Sequence, residues 1–232
     1  GAAGLFHDLV LPRYYFISAT RNPPFSNRVL VNSPRFPLSA ADLANWQSIA
    51  PSVNSMQPDL ANPYAAQFNL TVARSWRSWD WNVGYVGSRG VNLPRQAEAN
   101  LAPAEMVNGV KTYQPQRGRL NPAWAGVVRT TMDARSFYNA LQLTALKKMS
   151  HGLRAQLAYT WSKSIDDTSG IVSSDFVNSV QYTMDFDDRK LDRGLSSFHT
   201  GHVLVGNASW DLPFGKQARG WRRAATGGWQ LH

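Results

Sequence analysis

Cysteine is absent from the 232 residues, which rules out a disulfide framework and any thiolate metal site. No run of about 18 apolar residues occurs, so no transmembrane helix is expected; a β-barrel, whose lumen side is polar, needs no such run. Acidic residues are few. The 15 Asp and Glu stand against 24 Lys and Arg and leave a net charge of +9. The basic residues are scattered, with short groupings only at Lys147-Lys148 and Arg219 to Arg223. A nucleic-acid surface needs a clustered patch, so no nucleic-acid partner is expected. For a membrane protein the same charge is attraction to anionic headgroups. No charged-then-apolar leader occurs near Gly1, so a signal peptide is not expected among these residues.

Clustered chemistry is equally scarce. The five His are dispersed, without the spacing a zinc site requires. Asp167-Thr168-Ser169-Gly170 has the look of an aspartic-protease turn, but such enzymes need two aspartates sharing a proton, and there is no second copy. The acidic group Asp185, Asp187, Asp188 and Asp192 matches no calcium loop, and Arg189 and Lys190 inside it compete for the carboxylates. The expectation is a non-enzyme with no catalytic residue, no metal site and no cofactor.

What the chain does have is long alternating segments. In Leu153 to Ser162, Leu153, Ala155, Leu157, Tyr159 and Trp161 alternate with Arg154, Gln156, Ala158, Thr160 and Ser162. Phe137, Leu141, Leu143 and Ala145 alternate with Tyr138, Gln142 and Thr144. This is the period of a strand. The arms meet at Met149-Ser150-His151-Gly152, a tight turn. A second hairpin sets Phe68, Leu70 and Val72 against Gln67, Asn69 and Thr71, turns at 75–78, and returns through Trp79, Trp81, Val83 and Tyr85. Strands are expected near 8–18, 64–74, 79–88, 137–149, 153–163, 202–212 and 228–232. The longer arms have the length of a tilted membrane-crossing strand, about 9–11 residues, rather than the 5–6 of a soluble one. Trp near the turns and Tyr at the far ends match the aromatic girdles of a membrane barrel.

The connections sort by length. Short ones follow Arg74, Met149 and Leu212; long Pro-, Asn- and Ser-rich ones cover 21–63, 89–135 and 164–197. They alternate, so in an up-and-down sheet all short turns fall at one end and all long loops at the other. That is the organisation of outer-membrane barrels, with long loops extracellular. The expected fold is all-β: an antiparallel up-and-down meander forming a partial transmembrane β-barrel, an open curved sheet with long extracellular loops.

Six blocks also resemble, in the same order, the Oar-like TonB-dependent outer-membrane receptors. They are Pro63-Tyr64-Ala65-Ala66-Gln67-Phe68-Asn69-Leu70, Tyr85-Val86-Gly87-Ser88-Arg89-Gly90, Tyr138-Asn139-Ala140-Leu141-Gln142-Leu143, Tyr159-Thr160-Trp161-Ser162-Lys163-Ser164, Asp192-Arg193-Gly194-Leu195-Ser196-Ser197-Phe198 and Asp211-Leu212-Pro213-Phe214-Gly215. The likeness runs from about Asn22 to the end. It departs after Phe198, where His199-Thr200-Gly201-His202 replaces an Arg/His-rich step. The resemblance implies a barrel in the bacterial outer membrane, closed around a plug and driven by the TonB system, importing a scarce solute. The plug and the energy-coupling box are not visible here, so the chain reads as a barrel slice of about six or seven strands, short of the smallest closed membrane barrels.

Two sets of residues are expected to matter. Gln67, Asn69, Asn82, Arg154, Gln156 and Asn207 should face the lumen, with Leu70, Val83, Leu143 and Leu157 toward lipid. In the third long loop, Asp185, Asp187, Asp188, Arg189, Asp192 and Arg193 should offer both charge signs to an unknown polar solute. A surface adhesin or carbohydrate-binding β-protein without transport would use the same loops. A soluble carbohydrate-active enzyme would want paired carboxylates on inward strand faces, and the strands offer only Asp80 and Asp211, near turns.

Overall fold

The computed structural model describes residues 1–27, 29–32, 36–44, 47–170, 182–214, 220 and 227–232. In chain order the elements are β1 (Ala2–His7), α1 (Pro12–Thr20), β2 (Val29–Leu30), α2 (Ala40–Ala44), β3 (Gln47–Ser48), β4 (Ser52–Met56), β5 (Tyr64–Trp76), β6 (Trp79–Glu98), β7 (Ala104–Val107), β8 (Val110–Tyr113), β9 (Gly126–Ser150), β10 (Leu153–Asp166), β11 (Gly194–Leu195), β12 (His202–Asp211) and β13 (Gln230–Leu231). A nine-stranded sheet runs β1-β5-β6-β9-β10-β12-β13, open between its edges, with β11 beside β10 and β4 beside β9. The neighbours along that path are antiparallel. Among the named strands of the described residues, β4 runs parallel along the start of β9, Ser52 opposite Gly126 to Met56 opposite Thr130.

Two hairpins build the sheet, each closed by two residues. Arg77 and Ser78 join β5 to β6, with Arg77 at φ 53°. His151 and Gly152 join β9 to β10, both at positive φ, 52° and 78°, the twist that matches the flanking strands. The short turns lie side by side. The Lys148 N–H donates to the Ser78 carbonyl at 2.7 Å, the Asp211 N–H to the Gly152 carbonyl at 2.8 Å, and the Leu212 N–H to the Trp229 carbonyl at 2.9 Å. The third connection shares that end; its residues 215–219 and 221–226 lie outside the described residues, as do 171–181 of the third long loop.

The register assigns faces, because directly opposite residues share one. Leu70 pairs with Tyr85, Val83 with Val72 and Leu143, Leu143 with Tyr159, and Tyr159 with Leu204. One face is therefore apolar across five strands, and its side chains are open: Leu70 is 61% and Leu204 66% exposed. The other face carries Thr71 opposite Gly84, Asn82 opposite Thr144, Gln142 opposite Thr160 and Gln156 opposite Asn207. On the apolar face the far edge of the Phe68 ring covers Gly87, so that a methyl there would stand 2.3 Å from it. Aromatics mark both ends of the band: Trp79 stacks on Trp81 at 5.6 Å near the turns, and Phe68 tilts on Tyr85 at 6.1 Å farther up.

Three boundaries differ from the sequence expectation. Residues 8–18 hold no strand: Pro12 opens helix α1 at its first turn, where its missing N–H costs nothing, and the edge strand is β1 instead. Residues 89–98 are not irregular, since β6 continues to Glu98 through register shifts at Gly90/Leu93 and Leu93/Pro94. These bulges accommodate Pro94, which cannot donate to a ladder. Accordingly β9 begins at Gly126 rather than near 137, and β7 with β8 form a small hairpin inside the second long loop. Tyr14 of α1 and Met132 of β9 form a small buried core with Val10, Met56 and Leu60 around them. It lies above the apolar band, at the long-loop end.

Candidate functional site

Past the bulges, β6 and β9 carry side chains that no longer fit a simple two-faced sheet. Arg95, only 3% exposed, grips Asp133 with two parallel bonds, Nε to Oδ1 at 2.9 Å and Nη2 to Oδ2 at 2.7 Å. Thr131 adds a hydroxyl bond to the same carboxylate at 2.8 Å. The free side of the guanidinium reaches across to the third loop, donating to the Phe186 carbonyl at 3.3 Å. From the β7–β8 hairpin, Lys111 bonds Asp185 at 2.7 Å and Asp187 at 3.2 Å. Arg189 closes on buried Asp167 at 2.7 Å, whose carboxylate also accepts the Arg135 N–H at 3.0 Å. A backbone bridge between Gln96 and Tyr182, in which the Thr183 N–H donates to the Gln96 carbonyl, fastens the same loops. The second and third long loops are thus one cap.

The cap leans over the polar face. Asp166 stands opposite Ser136, which stands opposite Gly90, and Ser164 on that side bonds the Ser196 hydroxyl at 2.8 Å. Beneath it is a cavity of about 460 Å³, lined by Asp166, Asp167, Ser169, Thr183, Asp192 and Ser197 among others. Its lining is mostly hydroxyls and carboxylates, suited to a polar, hydrogen-bonding guest.

A family model described as an outer membrane beta barrel domain matches residues 1–232. The chain belongs to the outer-membrane β-barrel family. No curated protein matches it in sequence. Among solved structures, the crystal structure of the outer membrane transporter YddB from Escherichia coli is similar at 10% identity and a TM-score of 0.36, over 53% of this chain and 15% of that one. The chain spans 15% of the length of that transporter chain. As a member of the family this barrel chain lies in the bacterial outer membrane, and lipid is its surroundings.

In this outer-membrane barrel chain the expected loop residues take different parts. Asp185, 3% exposed, is spent on Lys111 and on the Asp187 N–H, and Asp187 beside it stays largely in solvent. Asp188 accepts the Lys190 N–H at 3.0 Å, and Asp192 accepts the Met184 N–H at 3.0 Å while lining the cavity. Arg189 is committed to Asp167. Arg193 turns the other way, its guanidinium 4.6 Å from the Phe137 ring on the apolar face. Of the expected six, only Asp192 borders the cavity. Among the described residues no group of three or more His, Asp or Glu is arranged to hold a metal ion. The six polar strand residues, Gln67, Asn69, Asn82, Arg154, Gln156 and Asn207, all fall on the polar face by register.

The cap shifts its own titrations. Burial pushes the Asp185 carboxyl up, but the Lys111 ammonium and two backbone N–H groups outweigh it and hold it below the usual value. Asp133 follows the same pattern, burial opposing and Arg95 with Thr131 prevailing. The Asp185 hydrogen bond raises Lys111 above an ordinary lysine. Tyr113, beside this pair, is raised by burial first and by Asp185 next. Arg95, Lys111 and Asp133 lie outside the acidic segment, and sequence spacing gave no signal for them.

Proposed function

We propose that this chain forms part of the barrel of a TonB-dependent outer-membrane receptor that takes up a scarce polar solute. The apolar face meets lipid, and Gln67, Asn69, Asn82, Arg154, Gln156 and Asn207 face the lumen, toward the receptor's plug and the solvated channel. The observation that carries the reading is the direction of the cap: two long loops, locked together by ion pairs, fold over the polar face, and the third of the long loops borders a half-open polar cavity there with the end of β10. A loop that serves only adhesion has no need to fold inward over the lumen side. Solute would be met first at Asp192, Asp166 and Ser197, and energy would come from the TonB system through the plug.

The test is accumulation in whole cells. A strain lacking the gene is compared with wild type in solute-depleted medium, with and without a protonophore. At least one solute should accumulate in a gene-dependent and energy-dependent way. Ser197→Trp, which fills the cavity and removes no member of an ion pair, should lower that accumulation while leaving heat-modifiable gel mobility unchanged. Gene-dependent accumulation that ignores the protonophore would leave a passive pore, and no gene-dependent accumulation would leave an adhesin.

A further inference from the structure

The apolar face ends, on the long-loop side, in a group of cations. Arg89 on β6 stands directly opposite Phe137 on β9, and Phe137 opposite Ile165 on β10. The Arg89 guanidinium lies 5.4 Å from the Phe137 ring and 5.6 Å from the Phe68 ring. It is fixed there by the Tyr138 carbonyl at 2.9 Å and the Asn139 side chain at 2.8 Å. Arg193, just before β11, covers the same Phe137 ring at 4.6 Å. Lys163, exposed, stands opposite Asn139 one row below. Among the described residues none of the three forms an ion pair with a carboxylate, whereas the cap's Arg95, Lys111 and Arg189 each do. At the opposite end of the sheet Lys148 is neutralised by Asp80 at 3.0 Å.

An arginine held rigid by backbone carbonyls and rings, with its charge uncompensated, is pre-organised for an oxyanion. Its position names the oxyanion. Leu141, Leu143, Tyr85 and Trp161 lie directly below it on the same face, so a molecule touching both must carry acyl chains under a negative headgroup. We propose that Arg89, Lys163 and Arg193 form an outward-facing site for the phosphorylated headgroup of an outer-leaflet lipid, with its chains lying along the apolar band. The proposal rests on the lipid-facing assignment above but not on transport, so its readout is separate from uptake.

The experiment uses the full-length protein in detergent. Retention of a bisphosphorylated glucosamine lipid is measured by native mass spectrometry, beside the same lipid stripped of phosphate and beside inorganic phosphate. Arg89 also holds strand carbonyls, so the first variant is Lys163→Gln with Arg193→Gln, neither of which donates a side-chain hydrogen bond within the described fold. Two cations lost from an anionic lipid contact should weaken retention of the phosphorylated lipid by roughly thirtyfold. Adding Arg89→Gln should weaken it further, and Arg77→Gln with Lys147→Gln at the turn end should change it little. Millimolar inorganic phosphate should not displace the lipid, because it lacks the chains. Equal retention by wild type and the double variant, equal retention of the phosphate-free lipid, or displacement by inorganic phosphate would each overturn the site.

Discussion

Below Gly90 the sheet leaves its leucines open and buries almost nothing; above it, the cap buries arginine and aspartate. Leu70 and Leu204 are mostly exposed, while Arg95 and Asp185 are nearly sealed. In water this would be an inverted protein. In a membrane the two regions obey one rule under two solvents. Hydrocarbon accepts an open leucine but no unpaired peptide group, so the lower region is pure strand, with β6, β9 and β10 laddered on both sides. The cap stands in water and has a small apolar core, so it is held by paired charges and backbone links between loops. The lower region is therefore sensitive to what faces outward, and the cap to the loss of either partner of a pair.

The largest effect should come from putting a charge into the first region. Leu157→Arg in the full-length protein should cost about 2–4 kcal/mol if the site lies near the bilayer midplane, and Gln156→Arg on the other face close to nothing. A folding titration into bilayers reads both, and equal costs would erase the distinction between faces. Next is Arg95→Leu, which strips Asp133 of its bidentate partner. Asp133 is partly solvated, so the loss should be about 2 kcal/mol, read as faster amide exchange at 95–98 and 182–186 with strands β5 and β10 unaffected. If the exchange change spread through the lower sheet, the two regions would not be separable.

Phe68 and Gly87 probe the lower region on a finer scale. Gly87→Ala should expel the ring from its seat and cost about 1 kcal/mol, measured by the same titration; a neutral result would mean that the ring contributes no cover. Acid should loosen the cap. Asp133 and Asp185 titrate below their unfolded values, so their contribution is full above about pH 4 and disappears as pH falls through the lower folded values. Lys111 titrates above its unfolded value, so its contribution is full below about pH 10 and is lost only above that. Exchange protection of 182–186 should be flat between these limits and drop on acidification. Lys111→Met leaves the nearly sealed Asp185 carboxylate with backbone N–H partners only, which should cost about 1–3 kcal/mol, and it should flatten part of that acid drop.

The hairpins were legible because period-2 alternation and turn residues state their geometry locally. Leu153 to Trp161 needs no distant partner to read as a strand. The failures have local causes as well. Tyr14, Tyr15 and Phe16 carry strand-like side chains, and their aromatic weight masked Pro12 as a helix opener. Pro94 broke the alternation of 89–98, and a bulge in the strand was read as the end of it. The cap was half legible. The acidic run at 185–192 was visible, but its partners Arg95 and Lys111 arrive from residues some 75 to 90 positions away in the chain. Arg189 and Lys190, the neighbours expected to compete for those carboxylates, do otherwise: Arg189 goes to Asp167, and Lys190 offers its backbone to Asp188.

The two-residue turns at Arg77-Ser78 and His151-Gly152 bear on how such a chain can change over generations. One codon gained inside β5, β6, β9 or β10, unless taken up in a bulge like those between β6 and β9, would exchange lumen and lipid for every residue between the gain and the next turn. A turn of two residues has no slack to absorb it. Lengths there can drift only in compensated steps. The long-loop end carries no such parity, and insertions there leave the faces untouched. Variation in length is confined by geometry to the surface that meets the outside world, so new ligand preferences can be tried without renegotiating the sheet.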